Sequence, residues 1–376
     1  MNHVGGNGSQ GEPCFQDRAP RRFASTINAW VLVITVLIAP LTRAQAARVQ
    51  EVAGVIGEVH YTGPLVFSPD GKLLALPSPE GGHLDLWSLE TKTIRQIVDS
   101  PSIMDDARAL NFVFSKDGRS LAVYYQDRGI SLWDLEAKKE RGFIPIGRPP
   151  YLCDLAFTDG DRQLVAILAG ASEAAGARPG PPRWDASVVR WETATLKKRS
   201  THTIDPLLQF KAIAPDGRFA AFRNETSQSV VDLATNQNVF TIDAGPVDEF
   251  LFSDDGSIFI VYNFRAITVW DVTSGKQFRR FESTTKRSMQ PTSLSLSADK
   301  KSLAIGHFSQ TFNVGLIDLE SGKVLDTFAI APETMICRSV RFVPRSRLLA
   351  TNTYAEDRRD HEVNPLLRFW KLPEGW

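Results

Sequence analysis

Seven times between Phe67 and Phe342 the chain repeats one phrase: an apolar strand, a turn of the Ser-Pro-Asp-Gly type, then two more strands, the second ending near Trp-Asp-Leu. The first strand of each unit closes on a bulky apolar residue: Phe67, Phe114, Phe157, Ile213, Phe252, Leu296 and Phe342. Two residues earlier stand Leu65, Phe112, Leu155, Lys211, Phe250, Leu294 and Val340. Positions two apart on a strand share a face, so thirteen of these fourteen side chains form one apolar layer, with Lys211 the exception. A buried strand repeated in this way predicts a ring of β-blades.

The turn after this strand reads Ser68-Pro69-Asp70-Gly71, Ser115-Lys116-Asp117-Gly118, Ala214-Pro215-Asp216-Gly217 and Ser253-Asp254-Asp255-Gly256, with worn copies at Thr158, Ser297 and Pro344. A type I turn takes Ser or Asp first, Pro second because its φ is already set, and Gly last to admit positive φ. Residue type thus matches turn position. A second apolar run follows, as at Leu73 to Leu76, Leu121 to Tyr124 and Ile258 to Val261. A third strand ends at Trp87, Trp133, Trp191, Val231, Trp270, Ile317 or Trp370. A weaker fourth strand is predicted over Thr93 to Val98, Phe143 to Ile146, Val239 to Ile242, Phe278 to Phe281 and Val324 to Ile330.

Units of about 40 to 57 residues with four antiparallel strands and a Trp-Asp signature resemble the WD40 family of β-propellers. The resemblance rests on the turn phrase and on Trp133-Asp134 and Trp270-Asp271, and it covers Arg48 to Trp376. The family's Gly-His dipeptide is missing, and its structural Asp before the third strand survives as Asp127. The resemblance implies an all-β, seven-bladed β-propeller of four-stranded antiparallel blades. The seventh unit ends just after its third strand, which would leave an open, aggregation-prone edge. Val49 to Ile56 carries strand-like apolar residues at the offset of the other fourth strands. The resemblance implies that this segment completes the last blade and closes the ring.

A propeller uses about 330 residues as one unit, so the repeat argues for a single domain over residues 47–376 of the 376. With 43% hydrophobic and 10% aromatic residues, the chain can bury a large core without disulfides. Residues 1–46 stand apart. Arg18, Arg21 and Arg22 precede an apolar run from Ala29 to Ala39, followed by the small-x-small site Ala44-Gln45-Ala46. This pattern reads as a secretory signal peptide, with export to the periplasm or the extracellular space after cleavage near Ala46. The alternative is an uncleaved anchor helix, since Phe23 to Asn28 and Leu41 stretch the run towards spanning length while Ser25, Thr26 and Asn28 dilute it.

Loss of Arg18, Arg21, Arg22 and Arg43 from 43 basic residues leaves 39, and loss of Glu12 and Asp17 from 43 acidic residues leaves 41. A mature chain so close to neutral, with no block of like charge, argues against nucleic acid and anionic membrane as partners. Cys153 and Cys337 fall in blades three and seven, across the ring, so two buried thiols are expected instead of a bridge. His60, His83, His202, His307 and His361 are scattered and none has zinc-ligand spacing. No nucleophile elbow, phosphate-binding glycine loop or cofactor signature is present, and no catalytic residue is singled out.

Most aspartates belong to turns or follow the third strand, as Asp134, Asp232, Asp271 and Asp318 do, where hydrogen bonding to turn backbone is their expected role. Asp154, Asp248 and Glu249 fall on or before innermost strands and are the candidate channel acids for a hard cation. Lys211, Arg338 and Arg341 occupy neighbouring positions and would neutralise them in ordinary salt bridges.

Two departures from regular spacing are more telling. The link between second and third strands is stretched in unit three, over residues 169–186, and again in unit seven, over 352–365. Both emerge on the face that also carries Lys286 and Arg287, in the link between units five and six. Loops project function from a rigid scaffold, and Trp, Tyr and Arg are frequent interface anchors. Arg183, Trp184, Tyr354, Arg358, Arg359, Lys286 and Arg287 are therefore the candidate interaction surface. The leading expectation is a monomeric, non-enzymatic platform for a protein or peptide. The rival is an enzyme or ligand-binding protein that uses the channel acids, with or without a divalent cation.

Overall fold

The computed structural model describes residues 49–52, 65–78, 83–99, 109–126, 128–146, 151–171, 184–204, 209–223, 227–243, 249–263, 266–282, 290–308, 313–330, 336–354 and 366–374. These residues form 28 strands, and no helix occurs among them. After β1 (Gln50–Val52), blade 1 holds β2 (Val66–Phe67), β3 (Leu73–Pro77), β4 (His83–Ser88) and β5 (Thr93–Asp99). Blade 2 holds β6 (Ala109–Phe114), β7 (Ser120–Tyr125), β8 (Gly129–Asp134) and β9 (Lys139–Pro145). Blade 3 holds β10 (Tyr151–Thr158), β11 (Gln163–Ala171), β12 (Trp184–Glu192) and β13 (Lys198–Ile204). Blade 4 holds β14 (Gln209–Ile213), β15 (Phe219–Arg223), β16 (Gln228–Asp232) and β17 (Gln237–Ile242), and blade 5 holds β18 (Glu249–Phe252), β19 (Ile258–Tyr262), β20 (Ala266–Asp271) and β21 (Lys276–Glu282). Blade 6 holds β22 (Gln290–Leu296), β23 (Ser302–Phe308), β24 (Val314–Asp318) and β25 (Val324–Phe328), and the last group is β26 (Ile336–Phe342), β27 (Leu348–Tyr354) and β28 (Leu366–Lys371).

Each of the first five blades is a four-stranded antiparallel meander in chain order. Blades 6 and 7 touch through one backbone bridge, Phe308 to Ile336. The seventh blade draws its outer strand from the other end of the domain: β1 pairs antiparallel with β28, setting Gln50 opposite Lys371, Glu51 opposite Trp370 and Val52 opposite Phe369. The Arg368 guanidinium also donates to both Glu51 carboxylate oxygens, at 2.8 and 2.9 Å. The expected closure is therefore formed, over the described part of Val49 to Ile56.

The core lies between blades. At the seam of blades 1 and 7, Leu65, Leu74, Leu76, Val343, Ala350 and Phe369 pack together, with Val52 of β1 against them. Ala122, Tyr124, Leu155, Phe157, Leu164 and Trp191 do the same between blades 2 and 3. The turns hold as their residue types demand. Ser68 Oγ donates to Asp70 at 2.6 Å and accepts from Leu73 N–H at 2.9 Å, and the arrangement recurs at Ser115, Ser253 and Ser297. The aspartates after the third strands likewise accept from turn backbone, as when Asp134 takes Ala137 N–H at 2.8 Å and Asp271 takes Ser274 N–H at 2.7 Å.

Three features depart from the sequence reading. The fourth strand of blade 3, β13, was not legible, because its Lys-Arg-Ser-Thr-His-Thr run is an exposed outer edge whose only buried residue is Ile204. Lys211 interrupts the apolar layer because it is the extra residue of a β-bulge between Phe210 and Ala212, a device that shifts the facing of the residues around it. The ends of both insertions are strand, not loop: β11 and β12 pair out to Ala171 opposite Trp184, and Asn352 to Tyr354 belong to β27. Cys337 is a buried free thiol, with burial pushing its pKa up to about 12; the Cys153 side chain lies outside what is described.

Candidate functional site at the central cavity

The innermost strands present bare backbone edges to the ring's axis, and the buried donors there need acceptors. Polar side chains three residues before the end of the strand supply them from blade to blade. Asp154 Oδ2 accepts from Ile213 N–H of blade 4 at 2.9 Å, while Oδ1 accepts from Leu155 N–H at 2.8 Å and from the Asn111 amide of blade 2 at 3.2 Å. Ser293 accepts from Val340 N–H at 3.2 Å and Ser339 from Leu65 N–H at 3.4 Å. In blades 2, 3, 6 and 7 a β-bulge immediately precedes this position and re-aims it. Sequence reasoning singled out Asp154 but missed its role between blades, and it missed Asn111, Ser293 and Ser339 altogether, although a polar residue at one fixed offset within an apolar strand is a readable signal.

Asp154 is thus a tie among three blades. Burial pushes its pKa up against the three hydrogen bonds that pull it down. Asp154→Ala leaves the Ile213 N–H and the Asn111 amide without their acceptor, and a buried unmatched donor costs about 1–3 kcal/mol. We expect the variant to unfold at lower urea, with a net loss of about 2 kcal/mol after relief of the buried charge; an unchanged midpoint would contradict the role.

Inside the ring lies a cavity of about 460 Å³ lined by all seven innermost strands. Its wall mixes polar surface with the apolar side chains Leu65, Phe67, Leu155, Phe250, Leu296 and Phe342, and its charges besides Asp154 are Asp254 and Arg341. Asp254 sits in the blade 5 turn, where Ser68-Pro69 and Ala214-Pro215 have proline. Arg341 sits on β26, where the other blades have Val66, Val113, Ala156, Ala212, Leu251 and Ser295. Burial pulls the Arg341 pKa down and the charge of Asp254 pushes it back. Burial likewise raises that of Asp254, opposed by Arg341. A second cleft of about 310 Å³ between blades 6 and 7 shares Asp254, Leu296, Phe342 and Pro344 with the cavity and carries Arg345 and Arg347.

Of the candidate channel acids, Asp154 lines the cavity but is engaged in the ties above. Glu249 opens β18 opposite Tyr262, half-buried and outside the cavity lining. Asp248 lies outside the described residues. Among the described residues no group of three or more His, Cys, Asp or Glu is placed to hold a metal ion. On the opposite rim, Trp184 begins β12 and Tyr354 ends β27. Arg183, Arg358, Arg359, Lys286 and Arg287 lie outside the described residues.

Among solved structures the chain is similar to the β-propeller domain of Cps50 (Swd1) from Myceliophteria thermophila, with a TM-score of 0.63 over 86% of this chain and 100% of that one, at 13% identity. At that identity the likeness concerns the fold, a WD40-type β-propeller. No family profile matches the chain, and no curated protein sequence matches it.

Proposed function

We propose that this WD40-like propeller is an exported, non-enzymatic and monomeric platform that binds a protein or peptide through the rim carrying the two insertions. The observation that supports it most is the length of one hairpin. β11 and β12 run nine residues each, where the matching second strands of other blades run five to seven. At about 3.3 Å per residue, the surplus lifts the insertion of blade 3 on a paired stem roughly 7–13 Å longer than its neighbours'. The insertion of blade 7 follows the second strand of its blade, as that of blade 3 does, so on this reading both stand on one rim. A stiff ring that presents two long, Arg- and aromatic-bearing segments on one side suits multi-point recognition.

The test is cross-linking capture from the exported fraction with the full chain and with an Arg183→Ala/Trp184→Ala variant. Loss of specific captured proteins at unchanged melting temperature is expected, since surface changes away from packing contacts cost little stability. An identical capture profile would contradict the assignment. N-terminal sequencing of the exported chain is expected to begin at Ala47, whereas a start at Met1 would mark the anchored alternative.

A further inference from the structure

Two opposite charges in the central cavity are left over by the fold. Arg341 carries five N–H donors in a rigid fork, yet no hydrogen bond or ion pair engages its guanidinium among the described residues, and its one electrostatic partner is Asp254. Asp254 in turn accepts no hydrogen bond there, and its charge answers only to Arg341 and to Asp255 beside it. The neighbouring turn carboxylate is engaged instead: Asp255 accepts from Ser253, Ser257 and Lys300. Six blades fill the Arg341 position with Val, Ala, Leu or Ser, so the ring needs no cation there. Arg341 is half-buried and lines the same cavity as Phe67, Phe250, Leu296 and Phe342, so its donors are open to a ligand that enters.

The cavity has the size of a small-molecule site, and its walls mix apolar side chains with polar groups that can fix orientation. A cleft between blades 6 and 7 borders the cavity at Asp254, Leu296, Phe342 and Pro344. A ligand with an anionic group alone would neutralise Arg341 and strand Asp254 beside a second negative charge. A cationic ligand would do the reverse. A neutral pair of charges on one molecule satisfies both groups.

We propose that the central cavity binds a small amphoteric ligand of the amino-acid class, with its carboxylate on Arg341, its ammonium on Asp254 and an apolar side chain against Phe67, Phe250, Leu296 and Phe342. A free amino acid and a short apolar peptide share this chemistry. The site is separate from the insertion-bearing rim, so the capture experiment and this one fail independently.

Titration calorimetry on the full chain with L-phenylalanine, the dipeptide Leu-Phe, phenylacetate and phenethylamine tests it. One of the two amphoteric probes is expected to bind at millimolar concentration or tighter, and the better of them identifies the source. Phenylacetate and phenethylamine are expected to bind at least about tenfold more weakly, each leaving one charge stranded. Arg341→Met should abolish binding while holding the melting temperature, because no hydrogen bond or ion pair of Arg341 among the described residues is lost. Asp254→Asn, on an open turn, should erase the preference for L-phenylalanine over phenylacetate. Arg341→Lys keeps the charge without the fork and should weaken binding without abolishing it, whichever way Arg341→Met folds. No heat from either amphoteric probe, or equal binding by the wild type and the Arg341 variants, overturns the proposal.

Discussion

A chain that starts at Gly54 is expected to be less stable than one that starts at Ala47 by about 3 kcal/mol, a drop of about 4 °C in melting temperature for a domain of this size. The shorter chain lacks β1, and with it Val52 from the seam of blades 1 and 7, Val49 from the packing around Trp370, and the Glu51 to Arg368 ion pair. It also bares the whole hydrogen-bonding edge of β28, so association should appear in light scattering well below the melting temperature. Coincident melting curves and equal scattering would show that the strand contributes nothing to closure.

Gly71→Ala is expected to cost about 3 kcal/mol, measured by urea unfolding. Gly71 has φ at 72°, and a Cβ there would stand 1.9 Å from the Pro344 carbonyl oxygen, a backbone atom of the last blade. The substitution adds left-handed strain, and it also forces blades 1 and 7 apart at the joint where the ring is closed. Gly160→Ala is the control. Its φ is 61°, but nothing lies within 4 Å of the added methyl, so only the conformational cost of about 1 kcal/mol remains. Equal losses in the two variants would mean that the Gly71 contact with Pro344 is not a tight joint.

The repeat was legible where local chemistry and burial agree. Ser68-Pro69-Asp70-Gly71 encodes its turn by residue type alone, and the alternation around Phe112 and Phe114 encodes a strand buried on one face. Even the closing strand was expected, from an offset, an unpaired edge and what the resemblance to the WD40 family implies. Legibility failed where a residue answers to another blade. β13 is polar because it faces solvent, and its pairing comes from β12, not from its own pattern. Asp154 read as a channel acid neutralised by neighbouring cations because its actual partners, Asn111 and Ile213, are 43 and 59 residues away.

Arg341 and Asp254 are the instructive pair. Both were visible as departures, an arginine where other blades have small or apolar residues and an aspartate where two have proline. Read singly, Arg341 was a neutralising neighbour of rim acids and Asp254 a turn residue. Only closure of the ring sets them in one cavity, since they come from blades 7 and 5.

Hydrogen exchange of the backbone amides in residues 49–52 and 366–372, followed by mass spectrometry, tests the closed ring most directly. If β1 is zipped to β28, both segments are protected in the chain that starts at Ala47, and 366–372 loses protection in the chain that starts at Gly54 while β15 and β19 keep theirs. Rapid exchange of residues 49–52 in the longer chain, or equal protection of 366–372 in the two chains, would contradict a ring closed by its N-terminal strand.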